Sequence, residues 1–316
     1  MGTDPDHRSS MSLHCREASV PESPILYPAS YNGVMTKTWF ITGAGRGFGK
    51  EFARAALERG DRVAATARDV SALDDLVAAH GEAVIPLTLD VTDRAEVGQA
   101  VATAAERLGR LDVVVNNAGY GLFGMVEEIT PAQLQHQLDV NLFGVLHVTQ
   151  AVLPILRAQG AGHLVQISTI GGVAAFPNLG GYHASKWALE GLSEALAQEV
   201  APFGIKVTLV EPGAFATDWA GSSAVHTSPL PQYDDVRSVM AERRARSAAS
   251  SGDPTATGQA LLEIVDSDSP PLRVLFGIAP TKLVPVLYAS RLKTWEEWEA
   301  TSVRAAGQQR DSSPGT

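Results

Sequence analysis

Three features of the sequence predict a single α/β domain, doubly wound on a seven-stranded parallel sheet. Short β-branched runs alternate with longer helical stretches from Thr38 onward. A glycine-rich turn joins the first such run to the first helix, and 316 residues are enough to bury one substantial core. The strands are expected at Thr38–Thr42, Arg62–Ala67, Ala83–Leu87, Asp112–Val115, His163–Ser168, Lys206–Val210 and Leu272–Phe276. Helices are expected between them at Phe48–Arg59, Ser71–His80, Arg94–Leu108, Pro131–Ala158, Gly181–Ala201 and Pro254–Val265. Strands joined by crossover helices run parallel and share one sheet.

The edges of this pattern carry their own expectations. Ala214 to Asp253 interrupts the alternation with Ser, Pro and charge, and a connection of that length in a compact domain predicts a functional lid. Residues 281–316 are expected to form a C-terminal helix and tail. There Trp295 and Trp298 lie three apart among Glu296, Glu297 and Glu299, which reads as a docking face before a substrate contact. Residues 1–34 have scattered Asp, Ser, Pro and His without a basic start and apolar core. They are expected to be a disordered leader, with Met35 as the natural start of a domain over 35–280.

Composition narrows the partners. A formal charge of −10 argues against nucleic acid or an anionic membrane, both of which need clustered positive charge. No run of about 18 uncharged apolar residues suggests a spanning helix. The single cysteine, Cys15, permits no internal disulfide and fits a reducing cytoplasm. His136, His147 and His183 lack metal-ligand spacing, so no metal is expected.

The chemistry concentrates in Gly180-Gly-Tyr-His-Ala-Ser-Lys-Trp-Ala-Leu-Glu190, which places Tyr182 and Lys186 four apart on one helix face. An ammonium beside a phenol favours the phenolate, so the pair is suited to moving a proton near neutral pH. A surface Tyr and Lys on an amphipathic helix is the alternative for the pair taken alone. The turn Thr42-Gly-Ala-Gly-Arg-Gly-Phe-Gly49 lies between a strand and a helix, where bare backbone lets a pyrophosphate approach the helix N-terminus. Its spacing, Gly43-x-x-x-Gly47-x-Gly49, differs from the usual dinucleotide turn.

With these motifs the chain resembles a short-chain dehydrogenase/reductase with a Rossmann-type domain. Gly43, Gly47 and Gly49 match the family's glycine motif, Asn116–Gly119 its Asn-Asn-Ala-Gly motif, and Pro212-Gly213 its Pro-Gly after the sixth strand. The family's Asn, Ser, Tyr and Lys tetrad falls on Asn141, Ser168, Tyr182 and Lys186, and within the family the chain is most similar to the 17β-hydroxysteroid dehydrogenase-like branch. The resemblance implies an oxidoreductase for a carbonyl/alcohol pair, with Tyr182 as general acid or base. It implies that Lys186 holds nicotinamide ribose hydroxyls, that Ser168 binds the substrate oxygen, and that Asn141 positions a water connecting Lys186 to solvent. Structurally, Asn141 could instead tie backbone together, and Ser168 could cap a turn.

Further cofactor contacts are implied at Arg46, Phe48, Arg68, Asp90, Val91, Asn117, Ala118, Gly119, Pro212, Gly213 and Thr217. A helix-start cap is the alternative for Asp90. At the end of the second strand Arg68, flanked by Arg46 of the glycine turn, suits a ribose 2′-phosphate, whereas Asp69 suits the free hydroxyl. Two arginines against one carboxylate predict NADP(H), with NAD(H) possible. Phe215, Trp219, Val225, Leu230 and Tyr233 in the lid predict an apolar substrate pocket. The family's habit of associating through its long helices implies a homodimer or homotetramer. A catalytically silent dinucleotide sensor or scaffold, and an epimerase or dehydratase, are the alternative functions.

Overall fold

The computed structural model describes residues 36–221, 223–248 and 251–307. The expected leader, with Cys15 and Met35, lies outside the described residues. In chain order, β1 (Thr38–Ile41) leads through the glycine turn to α1 (Gly47–Arg59), β2 (Arg62–Ala67), α2 (Asp74–His80), β3 (Val84–Thr88), α3 (Arg94–Leu108) and β4 (Val113–Asn116). The second half continues through β5 (Leu122–Phe123), α4 (Pro131–Leu138), α5 (Gly144–Gln159), β6 (Gly162–Ile167), α6 (Gly180–Val200) and β7 (Ile205–Pro212). After β7 come β8 (Val225–His226), α7 (Asp234–Ala248), α8 (Ala256–Asp266), β9 (Arg273–Phe276), α9 (Ile278–Glu297) and α10 (Glu299–Ala305).

Seven strands form one parallel sheet in the order β3-β2-β1-β4-β6-β7-β9. From β1 the chain winds outward to β3 and returns to β4 on the other side. This reversal opens a crevice at the carboxyl ends of β1 and β4. Burial on both faces explains the continuous apolar strands, because helices cover the sheet above and below. Trp39, Ile41, Val63, Val113 and Val115 face Phe52, Ala56 and Leu261 of α1 and α8. The alternate residues Phe40, Ala64 and Val114 face Val101, Val148, Val152 and Leu156 of α3 and α5.

Several elements depart from the sequence expectation. The helix expected over Pro131–Ala158 contains a π-helical turn at Asp139–Phe143, so that an extra residue is accommodated around buried Asn141. This α4–α5 stretch is long and apolar enough to cross a membrane by length and composition. Here its apolar stripe, including Val148, Val152 and Leu156, is buried in the core. The helix expected at Ser71–His80 starts as a 3₁₀ turn, Val70–Leu73, nucleated by Asp69. The lid contains the 15-residue helix α7, which has no apolar periodicity to signal it. The C-terminal helix begins at Ile278, with Trp295 exposed on it and Trp298 exposed at the cap between α9 and α10.

Candidate active site

Because all seven strands of the main sheet are parallel, their carboxyl ends share one edge, and the site is assembled there. Gly43 follows β1, Arg68 follows β2, Asp90 follows β3, Asn117 follows β4, Ser168 follows β6, and Pro212 ends β7. They line a single cavity of about 2200 Å³, joined by Arg46, Gly47, Phe48, Val91, Ala118, Gly119, Gly213, Thr217, Tyr182 and Lys186.

The glycine turn is held open by its neighbours. Gly47 has φ +55°, and a Cβ placed on it would meet nothing within 4 Å, so bare backbone faces open cavity. At Gly49 a Cβ would come within 2.4 Å of both the Gly43 carbonyl and the Asn117 side chain. No side chain caps α1, whose N-cap residue is Arg46. Its leading N–H groups and dipole therefore suit a pyrophosphate. Asn117 contributes as scaffold, since its Nδ2 donates to the Thr42 and Gly43 carbonyls at 3.0 and 2.9 Å. Thr42 Oγ1 reciprocates by accepting the N–H groups of Asn117 and Ala118.

At the end of β2 the two candidates for the ribose differ. Asp69 Oδ1 accepts from the Ser71 N–H at 3.0 Å and the Ser71 hydroxyl at 2.7 Å, and these bonds hold its carboxyl below the usual range. Arg68 is exposed on the cavity wall, and Arg46 lies 3.8 Å from Asp218 of the lid. Asp90 caps its own turn through Thr92, as the structural alternative expects, while still lining the cavity.

Tyr182 and Lys186 are both buried and lie one turn apart on α6. The Lys186 ammonium donates to the Ile167 carbonyl at the end of β6, 2.7 Å away. Burial brings its pKa down to about 8, against the opposing pull of Glu190. Burial also pushes the Tyr182 phenol up, and a hydrogen bond with the Thr169 side chain acts the other way. Desolvation thus dominates at the phenol, in place of the lowering expected from Lys186. Asn141 is satisfied by protein: it accepts from the Tyr120 N–H and donates to the Tyr120 carbonyl and Ser185 Oγ, each at 3.1 Å. Ser185 in turn donates to the Tyr182 carbonyl at 2.7 Å, tying the π-helical turn to α6.

Ser168 lines the cavity, but its hydroxyl has a protein partner. Its hydroxyl donates to Glu190 Oε1 at 2.5 Å. Strand alternation accounts for this: Val165 and Ile167 face the α1 side, so Ser168 faces α6, where Glu190 is buried. Thr169, one residue beyond, has left the ladder and sits by the phenol. The Ser-Thr pair in the sequence contained both hydroxyls, but their directions depend on where the strand ends. The sequence reading missed Glu190 and Ser185 as well, because the side chains they meet, Ser168 and Asn141, are distant in sequence.

The Trp219 ring of the lid lies tilted against its neighbours, 4.9 Å from Tyr182 and 5.2 Å from Phe123, and so forms part of the apolar wall. His136 lies 5.5 Å from Tyr120, His147 Nδ1 pairs with the Val91 carbonyl, and His183 accepts from the Phe176 N–H. Among the described residues no group of His, Cys, Asp and Glu is arranged to hold a metal.

Residues 37–226 match the short chain dehydrogenase family. The chain belongs to it. The dehydrogenase is 44% identical to oxidoreductase BOA17 of Botryotinia fuckeliana, over 86% of this chain and 100% of that protein. It is 40% identical to a 3-ketodihydrosphingosine reductase of Bacteroides thetaiotaomicron, over 81% of this chain and 91% of that one. A short-chain dehydrogenase structure from Streptomyces avermitilis superposes with a TM-score of 0.81 at 38% identity, covering 87% and 100% of the two chains.

Two solved neighbours hold cofactors. An alcohol dehydrogenase from Thermococcus sibiricus in complex with 5-hydroxy-NADP has a TM-score of 0.65 at 27% identity, covering 77% and 97% of the chains. A Burkholderia phymatum family member in complex with NAD has a TM-score of 0.69 at 26% identity, covering 84% and 95%. The dehydrogenase is thus an oxidoreductase with a Rossmann-like fold and a site suited to a nicotinamide dinucleotide.

Proposed function

We propose that this dehydrogenase interconverts a carbonyl and a primary or secondary alcohol using NADP(H), with Tyr182 as general acid in reduction and general base in oxidation. The observation that carries the reading is Tyr182 and Lys186 one turn apart on the cavity wall, with the Thr169 side chain beside the phenol. When bound, the nicotinamide supplies or takes up the hydride. The phenol gives its proton to the substrate oxygen, and the Thr169 hydroxyl hydrogen-bonds that same oxygen in place of Ser168. Lys186, protonated at neutral pH, favours the phenolate that remains. Asn141 and Ser185 hold α6 in register, so that Tyr182 keeps its aim.

The glycine turn, Asp90, Val91, Ala118, Gly119, Pro212, Gly213 and Thr217 are the proposed wall for the cofactor. The commitment of Asp69 to Ser71 supports a 2′-phosphate held by Arg68 and Arg46 over a bare ribose hydroxyl. NAD(H) is the alternative. The apolar wall of Phe123, Phe176, Leu179 and Trp219 supports an apolar substrate and, with it, the 17β-hydroxysteroid dehydrogenase-like assignment. Exposed Trp187 and Leu192 on α6 support association of copies through that helix, although Arg291 of α9 covers the Trp187 ring at 5.1 Å. A monomer at micromolar concentration by sedimentation velocity would remove the dimer or tetramer from the proposal.

The deciding experiment follows NADPH consumption with a panel of ketones and aldehydes, in wild type and Tyr182→Phe. Turnover by the wild type and its loss in the variant, with NADPH binding retained, is the expected result. A wild type that binds NADPH but turns over no carbonyl favours the silent sensor.

A further inference from the structure

We infer that the substrate carries an anionic group at the far end of an apolar body, and that Arg244 of the lid helix recognises it. This rests on the proposed role of Tyr182 only for where the carbonyl sits.

A continuous aromatic wall leads away from Tyr182. Trp219 is 4.9 Å from the phenol ring, Phe123 is 5.2 Å from Trp219, and the Arg244 guanidinium stands 5.4 Å from the centre of the Phe123 ring. A molecule reaching from Tyr182 to Arg244 therefore spans at most those three steps, and it passes only apolar faces on this side. An arginine over an aromatic face is attracted to the ring, but the ring takes none of its five N–H donors.

The helix that carries Arg244 separates a structural arginine from this one. Arg237, Met240, Ala241 and Arg244 lie at the spacing of one α7 face, and all four line the cavity. Arg237 at the near end is fully engaged, with Glu128 at 2.5 Å and Asp234 at 2.9 Å. Among the described residues no carboxylate is paired with Arg244. A helix packed against a core ordinarily turns an apolar stripe inward. Arg244 is itself exposed, yet it lines the cavity and sets its guanidinium over the Phe123 ring, in a protein of net charge −10, at the end of an apolar track. A planar fork of donors there fits a carboxylate, sulfate or phosphate ester, whereas an amine would be repelled.

The test measures binding to the full chain by isothermal titration calorimetry, independently of turnover, with decanoate, decanol and decylamine. Wild type is expected to bind decanoate at least about tenfold more tightly than decanol, as one charge-assisted hydrogen bond provides. Arg244→Ala should abolish that difference while leaving decanol affinity unchanged, and Arg244→Lys should restore part of it. Equal binding of decanoate and decanol by the wild type, tighter binding of decylamine, or a decanoate preference that survives Arg244→Ala each overturns the inference. In parallel, kcat/KM is compared for a medium-chain ketone and the corresponding keto acid. If neither is turned over, the proposed function fails while the calorimetry still decides the anion site. If the neutral ketone is turned over as well as the keto acid, the function stands and the anion site falls.

Discussion

The Ser168 hydroxyl donates to the buried carboxylate of Glu190 at 2.5 Å, and the hydroxyl beside the Tyr182 phenol belongs to Thr169. One residue of chain thus separates a hydroxyl that fastens α6 to the sheet from one that sits beside the phenol.

Opposite outcomes follow for the two positions. Thr169→Val should lower kcat by about 10²-fold or more, the usual loss for a donor to a developing oxyanion, and cost about 1 kcal/mol of stability, because the hydroxyl also caps the turn at Ile170–Gly172. Ser168→Ala should leave kcat within a few-fold of wild type and cost about 1–3 kcal/mol of stability, because Glu190 loses a buried partner. Steady-state kinetics and denaturant unfolding on both variants check this, and a dead Ser168→Ala with an active Thr169→Val would reverse the assignment.

Cofactor preference is tested at Arg68. If Arg68 meets a 2′-phosphate, Arg68→Ala should raise the KM for NADPH roughly tenfold to a hundredfold and leave NADH nearly unchanged. Adding Arg46→Ala should remove most of the remaining preference, less than additively, because the two share one ligand. Asp69→Ala should disturb the Val70–Leu73 turn more than NADH use. A wild type that prefers NADH would discard the NADP(H) reading.

The lid is latched by one carboxylate. Glu128 accepts from Leu230 N–H at 2.8 Å, Met125 N–H at 2.9 Å, Thr227 Oγ1 at 3.0 Å and Arg237 at 2.5 Å. Bonds led by the Leu230 N–H hold its pKa down to about 2. Glu128→Ala should expose the chain between Ala214 and Asp253 to limited proteolysis and raise substrate KM about tenfold, with a smaller effect on NADPH binding. Proteolysis at the wild-type rate would show that the latch does not hold the lid.

Stability should respond to pH through Glu211. Burial pushes its carboxyl up to about 7, reinforced by Glu190 and opposed by Arg273, and its Oε1 has no hydrogen-bond partner. Between the ordinary value of 4.5 and about 7 the folded chain holds a proton that the unfolded chain releases, so this group's contribution falls as pH rises through that window. Glu211→Gln should be more stable than wild type by on the order of 2 kcal/mol at pH 8, and the gain should vanish near pH 4.5. Urea midpoints at the two pH values measure it; a gain independent of pH would refute the shifted carboxyl.

The sequence by itself determined the doubly wound sheet, because β-branched runs and amphipathic stretches follow the strand and helix periods that the two-sided core enforces. It also determined the Tyr182–Lys186 pairing, since a spacing of four is fixed by helix geometry, and the glycine turn, since Gly47 needs a positive φ. Only the tertiary structure decided which hydroxyl meets Tyr182, because the exit of the chain from β6 sets the direction of Ser168 and Thr169. It likewise decided that Asn141 is held by Tyr120 and Ser185, and that Glu128 latches a lid about 100 residues away in sequence. α7 was illegible for a related reason: with no apolar stripe to bury, its position depends on Glu128, on Phe123 beneath Arg244, and on the cavity it closes, none of which is adjacent to it in the chain.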